Sequence, residues 1–152
     1  EATWESFSDR VRPRNVTGDR GEFLDRLRTQ LADCWSDDLE RIVQTMVFED
    51  KEGQIQDILR PDNHAQVIRT MWDYPPAAVL PKVECPTLIV PAGPTPDRAG
   101  SEFAQRRALM VESATHYLKD CRVHWIPETI HDIGYHKPVE LAGVIKEFID
   151  AE

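Results

Sequence analysis

The chain of 152 residues is long enough for one ordinary domain, or for a small domain joined to part of another. Hydrophobic residues make up 41% and charged residues 30%, and 27 acidic against 18 basic side chains leave a net charge of -9. Such a balance offers no basic stripe to neutralise phosphates, so it argues against nucleic-acid partners and against anionic membrane surfaces. The three cysteines, Cys34, Cys85 and Cys121, are odd in number and contain no C-x-x-C pair. They fit reduced thiols in a cytoplasmic protein, with one disulfide still an option, and give no support to a zinc ribbon or a thioredoxin-type motif. No apolar run is long enough to span a bilayer and no signal peptide is visible, although a targeting segment ahead of Glu1 would lie outside this sequence.

In chain order, Gly18-Asp19-Arg20-Gly21 breaks the backbone, after which Phe23, Leu24, Leu27, Leu31 and Trp35 recur at helical spacing. Ser36 is a suitable N-cap for a helix carrying Leu39, Ile42, Val43, Met46 and Val47. Gly53 punctuates the connection to Ile55 and Ile58. Pro61 suits the first turn of another helix, with Val67, Ile68, Met71 and Trp72 as its apolar stripe, and Pro75-Pro76 stops it. Residues 1–82 thus read as a helical subdomain without a strand pattern.

The character changes after Lys82. Thr87-Leu88-Ile89-Val90, bounded by Pro86 and Pro91, reads as a buried strand, with a stiff loop through Gly93, Pro94 and Pro96 after it. Ser101 can cap a long helix bearing Phe103, Ala104, Ala108, Val111, Ala114 and Leu118. Val123 to Ile126 reads as a second strand, closed by Pro127, and Pro138 opens a last helix with Leu141, Val144, Ile145, Phe148 and Ile149 on one face. Strand, helix, strand, helix is an α/β order with a parallel sheet over residues 83–152. Two fully apolar parallel strands are too few to cover themselves, so further strands are expected from upstream sequence or from a second copy of the chain.

Two residues then stand out. Asp97 comes after the first strand and His131 after the second, and parallel strands deliver such loops to the same sheet edge, where ligands of open α/β sheets collect. A histidine there can serve as general base, and an acid beside it can fix its tautomer and stabilise the cation formed. The bland alternatives are a loop histidine bonded to backbone and a turn aspartate in Pro-Asp-Arg-Ala-Gly. Asp132 is adjacent to the histidine and poorly placed to face it. His131 and His136 lack a third ligand nearby, and His64, His116 and His124 read as packing or solvent-facing residues. No Gly-x-Ser-x-Gly occurs, and Ser101 and Ser113 lack the flanking glycines of a strained strand-to-helix turn, so no nucleophile is in view. In the helical half, Trp35, Met46, Met71, Trp72 and Tyr74 read mainly as core. The alternative is an apolar lid over the catalytic loops, with Trp35, Trp72 and Tyr74 touching substrate.

Val83-Glu84-Cys85-Pro86-Thr87-Leu88-Ile89-Val90, Thr129-Ile130-His131-Asp132-Ile133 and Pro138-Val139-Glu140-Leu141 together resemble the C-terminal half of an α/β-hydrolase-fold enzyme. The resemblance implies that residues 1–82 are the cap, that Asp97 is the acid and His131 the base, and that nucleophile and oxyanion-hole donors lie upstream of Glu1. Gly93-Pro94-Thr95-Pro96-Asp97 is one residue longer than the family's usual Gly-x-x-Asp. The resemblance also implies a hydrolase of small, fairly apolar ester-like substrates that needs no metal or organic cofactor and is inactive as this chain alone. Two rivals stay open: an upstream aspartate nucleophile, as in dehalogenases and epoxide hydrolases, or a non-catalytic module that dimerises or docks to complete its sheet.

Overall fold

In a computed structural model that describes residues 3–12 and 16–151, short polar side chains and prolines start most of the long helices of a mixed α/β fold. The chain divides into two units, Glu1–Pro75 and Pro76–Glu152. Residues 1–2, 13–15 and 152, which include both ends of the regions assigned from sequence, lie outside the described residues.

The first unit holds helices α1 (Trp4–Val11), α2 (Arg20–Gln30), α3 (Asp37–Gln44) and α4 (Pro61–Asp73). The Thr3, Asp19 and Ser36 side chains each accept a hydrogen bond from a first-turn amide, of Ser6, Glu22 and Leu39 respectively. These bonds satisfy donors that the helix itself cannot. Asp37, Asp38 and Glu40 add negative charge at the positive end of α3. Pro61 occupies the first turn of α4, where its missing N–H costs nothing.

Between α3 and α4 the structure corrects the all-helical reading. Strands β1 (Val47–Glu49) and β2 (Ile55–Asp57) form an antiparallel hairpin in which Val47 faces Asp57 and Glu49 faces Ile55. Its turn is built by Asp50, whose Oδ1 accepts from the Glu52 and Gln54 amides at 3.1 and 2.8 Å, and by Gly53 at φ +76°. Phe23, Leu24, Leu39, Val43, Val47, Ile55 and Ile68 are the buried apolar residues of this unit. Met46, Met71 and Tyr74, expected in this core, are exposed instead. Trp72 packs with Trp4 and Phe7, its ring centroid 6.1 and 5.3 Å from theirs, joining α1 to α4.

The second unit opens with α5 (Pro76–Val79) and a 3₁₀ turn at Leu80–Lys82, and continues through β3 (Thr87–Ile89), a second 3₁₀ turn (Pro96–Arg98) and α6 (Glu102–Tyr117). It closes with β4 (Cys121–Val123), α7 (Ile133–His136) and α8 (Pro138–Asp150). Ser101 caps α6 through Ala104 N at 3.2 Å, and Pro138 starts α8. β3 and β4 pair in parallel, with Thr87 opposite Cys121 and Ile89 opposite Val123. The second strand thus begins two positions earlier than Val123, because Asp120 O receives the Thr87 amide at 3.0 Å and fixes the register there.

Among the described residues this sheet has two strands. Its small core is Ala92, Ile126 and Ile133, with Val90 and Leu141 packed against it. No residue of β3, α6 or α8 is buried, although all three are rich in apolar side chains.

Candidate functional site

The loops after β3 and β4 are bound to one another. Pairing outlasts the strands: His124 N donates to Ile89 O at 3.0 Å, Ile126 N to Pro91 O at 3.1 Å, and Gly93 N to Ile126 O at 2.7 Å. Thr129 N then returns to Gly93 O at 3.1 Å. The approach is so close that a Cβ on Gly93 would lie 3.0 Å from both Ile126 O and Pro127 Cα, which is why glycine stands there. Arg107 on α6 holds the same loop from its other side, donating to Ala92 O at 2.5 Å while its guanidinium lies 4.6 Å from the Phe103 ring centre.

His131 sits on the second of these loops, between buried Thr129 and buried Ile133. It is exposed, and its ring makes no hydrogen bond to any described residue. It borders an apolar cavity of about 490 Å³ walled by Val90, Pro91, Ala92, Phe103, Met110 and Ile133, among others. An imidazole beside apolar walls at the carboxyl end of a parallel strand can take a proton from a group brought to that face.

Asp97 lies on the 3₁₀ turn of the first loop, exposed, with Arg98 Nε 3.9 Å from its Oδ2. No hydrogen bond or ion pair joins Asp97 to His131, and Asp97 does not border the cavity. The structure brings the two loops together but does not close the acid–histidine pair. Asp132 is the residue before α7 and its backbone oxygen receives the Tyr135 and His136 amides.

Trp35, Trp72 and Tyr74 all belong to the first unit. Trp35 lies under the Arg28 guanidinium at 5.8 Å, Trp72 belongs to the Trp4–Phe7 group, and Tyr74 is exposed at the end of α4. A larger cleft of about 680 Å³ in the same unit runs along the hairpin past Asp50, Glu52 and Asp57. Two of these carboxylates are already engaged: Asp57 receives the Val16 amide at 3.3 Å, and Asp50 holds the turn. The Gln54 amide above all, then the Gln56 side chain and the Glu52 amide, keep Asp50 below the usual carboxylate range.

Ser101, Cys34 and Cys121 are poorly placed to act as nucleophiles. Ser101 is committed to capping α6. Burial pushes the Cys34 and Cys121 thiols up, with Asp33 and Asp120 adding to it, and so keeps both protonated at neutral pH. All three cysteines are free.

A bond that the sequence did not reveal joins Thr129 Oγ1 to His136 Nδ1 at 2.9 Å. No helix among the described residues is long and apolar enough to cross a membrane. Comparison with known proteins finds no matching family model, no matching curated protein and no matching solved structure.

Proposed function

We propose that this chain carries the acid–base part of a nucleophile–acid–histidine hydrolase acting on small, fairly apolar ester-like substrates. The observation that carries the reading is His131: an imidazole with no hydrogen-bond partner among the described residues, beyond the carboxyl end of a parallel strand, beside an apolar cavity, on a loop bonded to the one that bears Asp97. In this reading His131 takes the proton from a nucleophile contributed by polypeptide that completes the sheet, then returns it to the leaving group. Asp97 turns toward the imidazole once that sheet is complete and stabilises the imidazolium. The first unit acts as a lid, with Trp35, Trp72 and Tyr74 offering apolar surface to the substrate. No metal or organic cofactor takes part. A serine nucleophile gives an esterase; an aspartate in its place gives a dehalogenase or epoxide hydrolase.

The open edges of β3 and β4 also favour a second reading, in which the sheet is completed by a partner or a second copy with no catalysis. One experiment separates the two. The chain is joined to the sequence encoded directly upstream of it and assayed on short-chain p-nitrophenyl esters, beside His131→Ala and the chain alone. Hydrolysis that falls about 10²- to 10⁴-fold in His131→Ala, with none from the chain alone, supports the relay. Hydrolysis indifferent to His131, or none from any form, removes it.

A further inference from the structure

We propose that the Thr129–His136 hydrogen bond is a latch that holds the His131 loop, which makes Thr129 and His136 positioning residues for the imidazole. This rests on the reading of His131 as the base, but the latch itself is observable without catalysis.

Among the described residues Thr129 is the one buried polar side chain, 7% exposed. A hydroxyl buried to that degree destabilises the fold unless it is paired, and its partner is His136 Nδ1 at 2.9 Å. The pair closes a ring of chain from 129 to 136, with His131 exposed on the stretch between them. Both ends of that ring are themselves fixed. On one side, Thr129 N donates to Gly93 O at 3.1 Å. On the other, His136 N and Lys137 N bond back to Asp132 O and Ile133 O at 3.3 and 2.7 Å, and Lys137 Nζ reaches Pro127 O at 2.6 Å.

The entry to the ring is a backbone position that needs such support. Glu128 has φ +49°, in the left-handed region that a side-chain-bearing residue adopts only at an energetic cost. It persists because the next residue is bonded through both its amide and its hydroxyl. Threonine suits the site, since a hydroxyl donates to or accepts from Nδ1 and so serves either imidazole tautomer. The His131 ring makes no such bond to any described residue, so its place in space is set by the ring of chain that carries it. A loop left free would spread that imidazole over many positions, and misplacement by about 1 Å lowers the rate of a positioned proton transfer by about 10².

The test uses the full chain, ¹⁵N-labelled, as wild type, Thr129→Val, Thr129→Ser, His136→Ala and His136→Asn. Histidine-selective spectra monitor the His136 and His131 ring nitrogens, and amide exchange is read at Ile133, whose N donates to His131 O at 3.0 Å. Thr129→Val should shift the His136 Nδ1 resonance, and both Thr129→Val and His136→Ala should broaden the His131 ring signals. Both should also speed exchange at Ile133 about tenfold, as loss of one partly buried hydrogen bond requires. Thr129→Ser and His136→Asn, which keep a polar atom at the bond, should restore the His131 signals and the slow exchange. Exchange at Ile133 within twofold of wild type in both removing variants overturns the latch. So does acceleration that is equal at Ile133 and at Ile126, because that reports a uniformly loosened unit, and so does failure of both conservative variants to restore. A latch that forms in a protein whose completed form hydrolyses no ester removes the hydrolase reading alone.

Discussion

The two units use apolar sequence differently. In the first, α2, α3, α4 and both strands of the hairpin each bury at least one side chain, with Val43 and Ile55 at 1% exposure. In the second, the buried apolar residues among those described are Pro91, Ala92, Leu118, Ile126 and Ile133. Phe103, Leu109, Met110, Val139 and Ile149 stand exposed on helices that bury nothing. Apolar area left in water forfeits about 25 cal/mol per Å², so the second unit holds unused stabilisation that another layer or further strands would release. The candidate site belongs to the unit that is short of cover, with its histidine exposed at the border of an apolar cavity.

The largest effect expected is the loss of about 10²- to 10⁴-fold in ester hydrolysis for His131→Ala in the sheet-completed protein, with Asp97→Asn also reducing it. Next, Ile55→Ala in the first core and Ile126→Ala in the second should each lower unfolding free energy by about 2–5 kcal/mol in denaturant titrations. Met110→Ala and Ile149→Ala should change it by less than about 0.5 kcal/mol in the chain alone. A cost of about 2 kcal/mol at Ile149 would mean that α8 is already covered and would erase the contrast. Arg107→Met removes a charged donor from Ala92 O and should cost about 1.5–3 kcal/mol, read in the same titrations. Ser36→Ala and Ser101→Ala should cost about 1 kcal/mol each through their caps.

The smallest effect is a pH dependence at the hairpin. Asp50 is depressed in the folded state, so its contribution is complete above the ordinary carboxylate range and fades as pH falls through its lowered folded value. Amide exchange at Gln54 should accelerate in acid in wild type beyond the intrinsic rate change, and Asp50→Ala should remove that dependence.

Helix starts were legible because their signals are local: Ser36, Ser101, Pro61 and Pro138 act within one turn. The β1–β2 hairpin was not, since strands of three residues bury one side chain each, Val47 and Ile55, too few to set a period of two. The turn chemistry of Asp50 and Gly53 was the available clue. The parallel pairing and the shared edge of the Asp97 and His131 loops could be read from strand order. The start of β4 at Cys121 could not, because register depends on which carbonyl the Thr87 amide finds. Whether Asp97 meets His131 depends on side-chain directions at the end of a proline-rich loop, which no periodicity encodes. His136 looked ordinary for the same reason: its partner is a threonine on a loop anchored beside the Ala92, Ile126 and Ile133 core.

Residue-resolved amide exchange on the monomeric chain decides whether the second unit is an unfinished sheet presenting His131. Thr87 and Ile89 face β4, so the ladder geometry turns the Leu88 and Val90 amides outward. Rapid exchange is expected at Leu88 and Val90 beside slowed exchange at Thr87, Ile89 and Ile126, with Leu88 and Val90 becoming protected once the upstream sequence is joined. Slow exchange at Leu88 and Val90 in the monomeric chain would show that the edge is already paired and that the sheet is not unfinished.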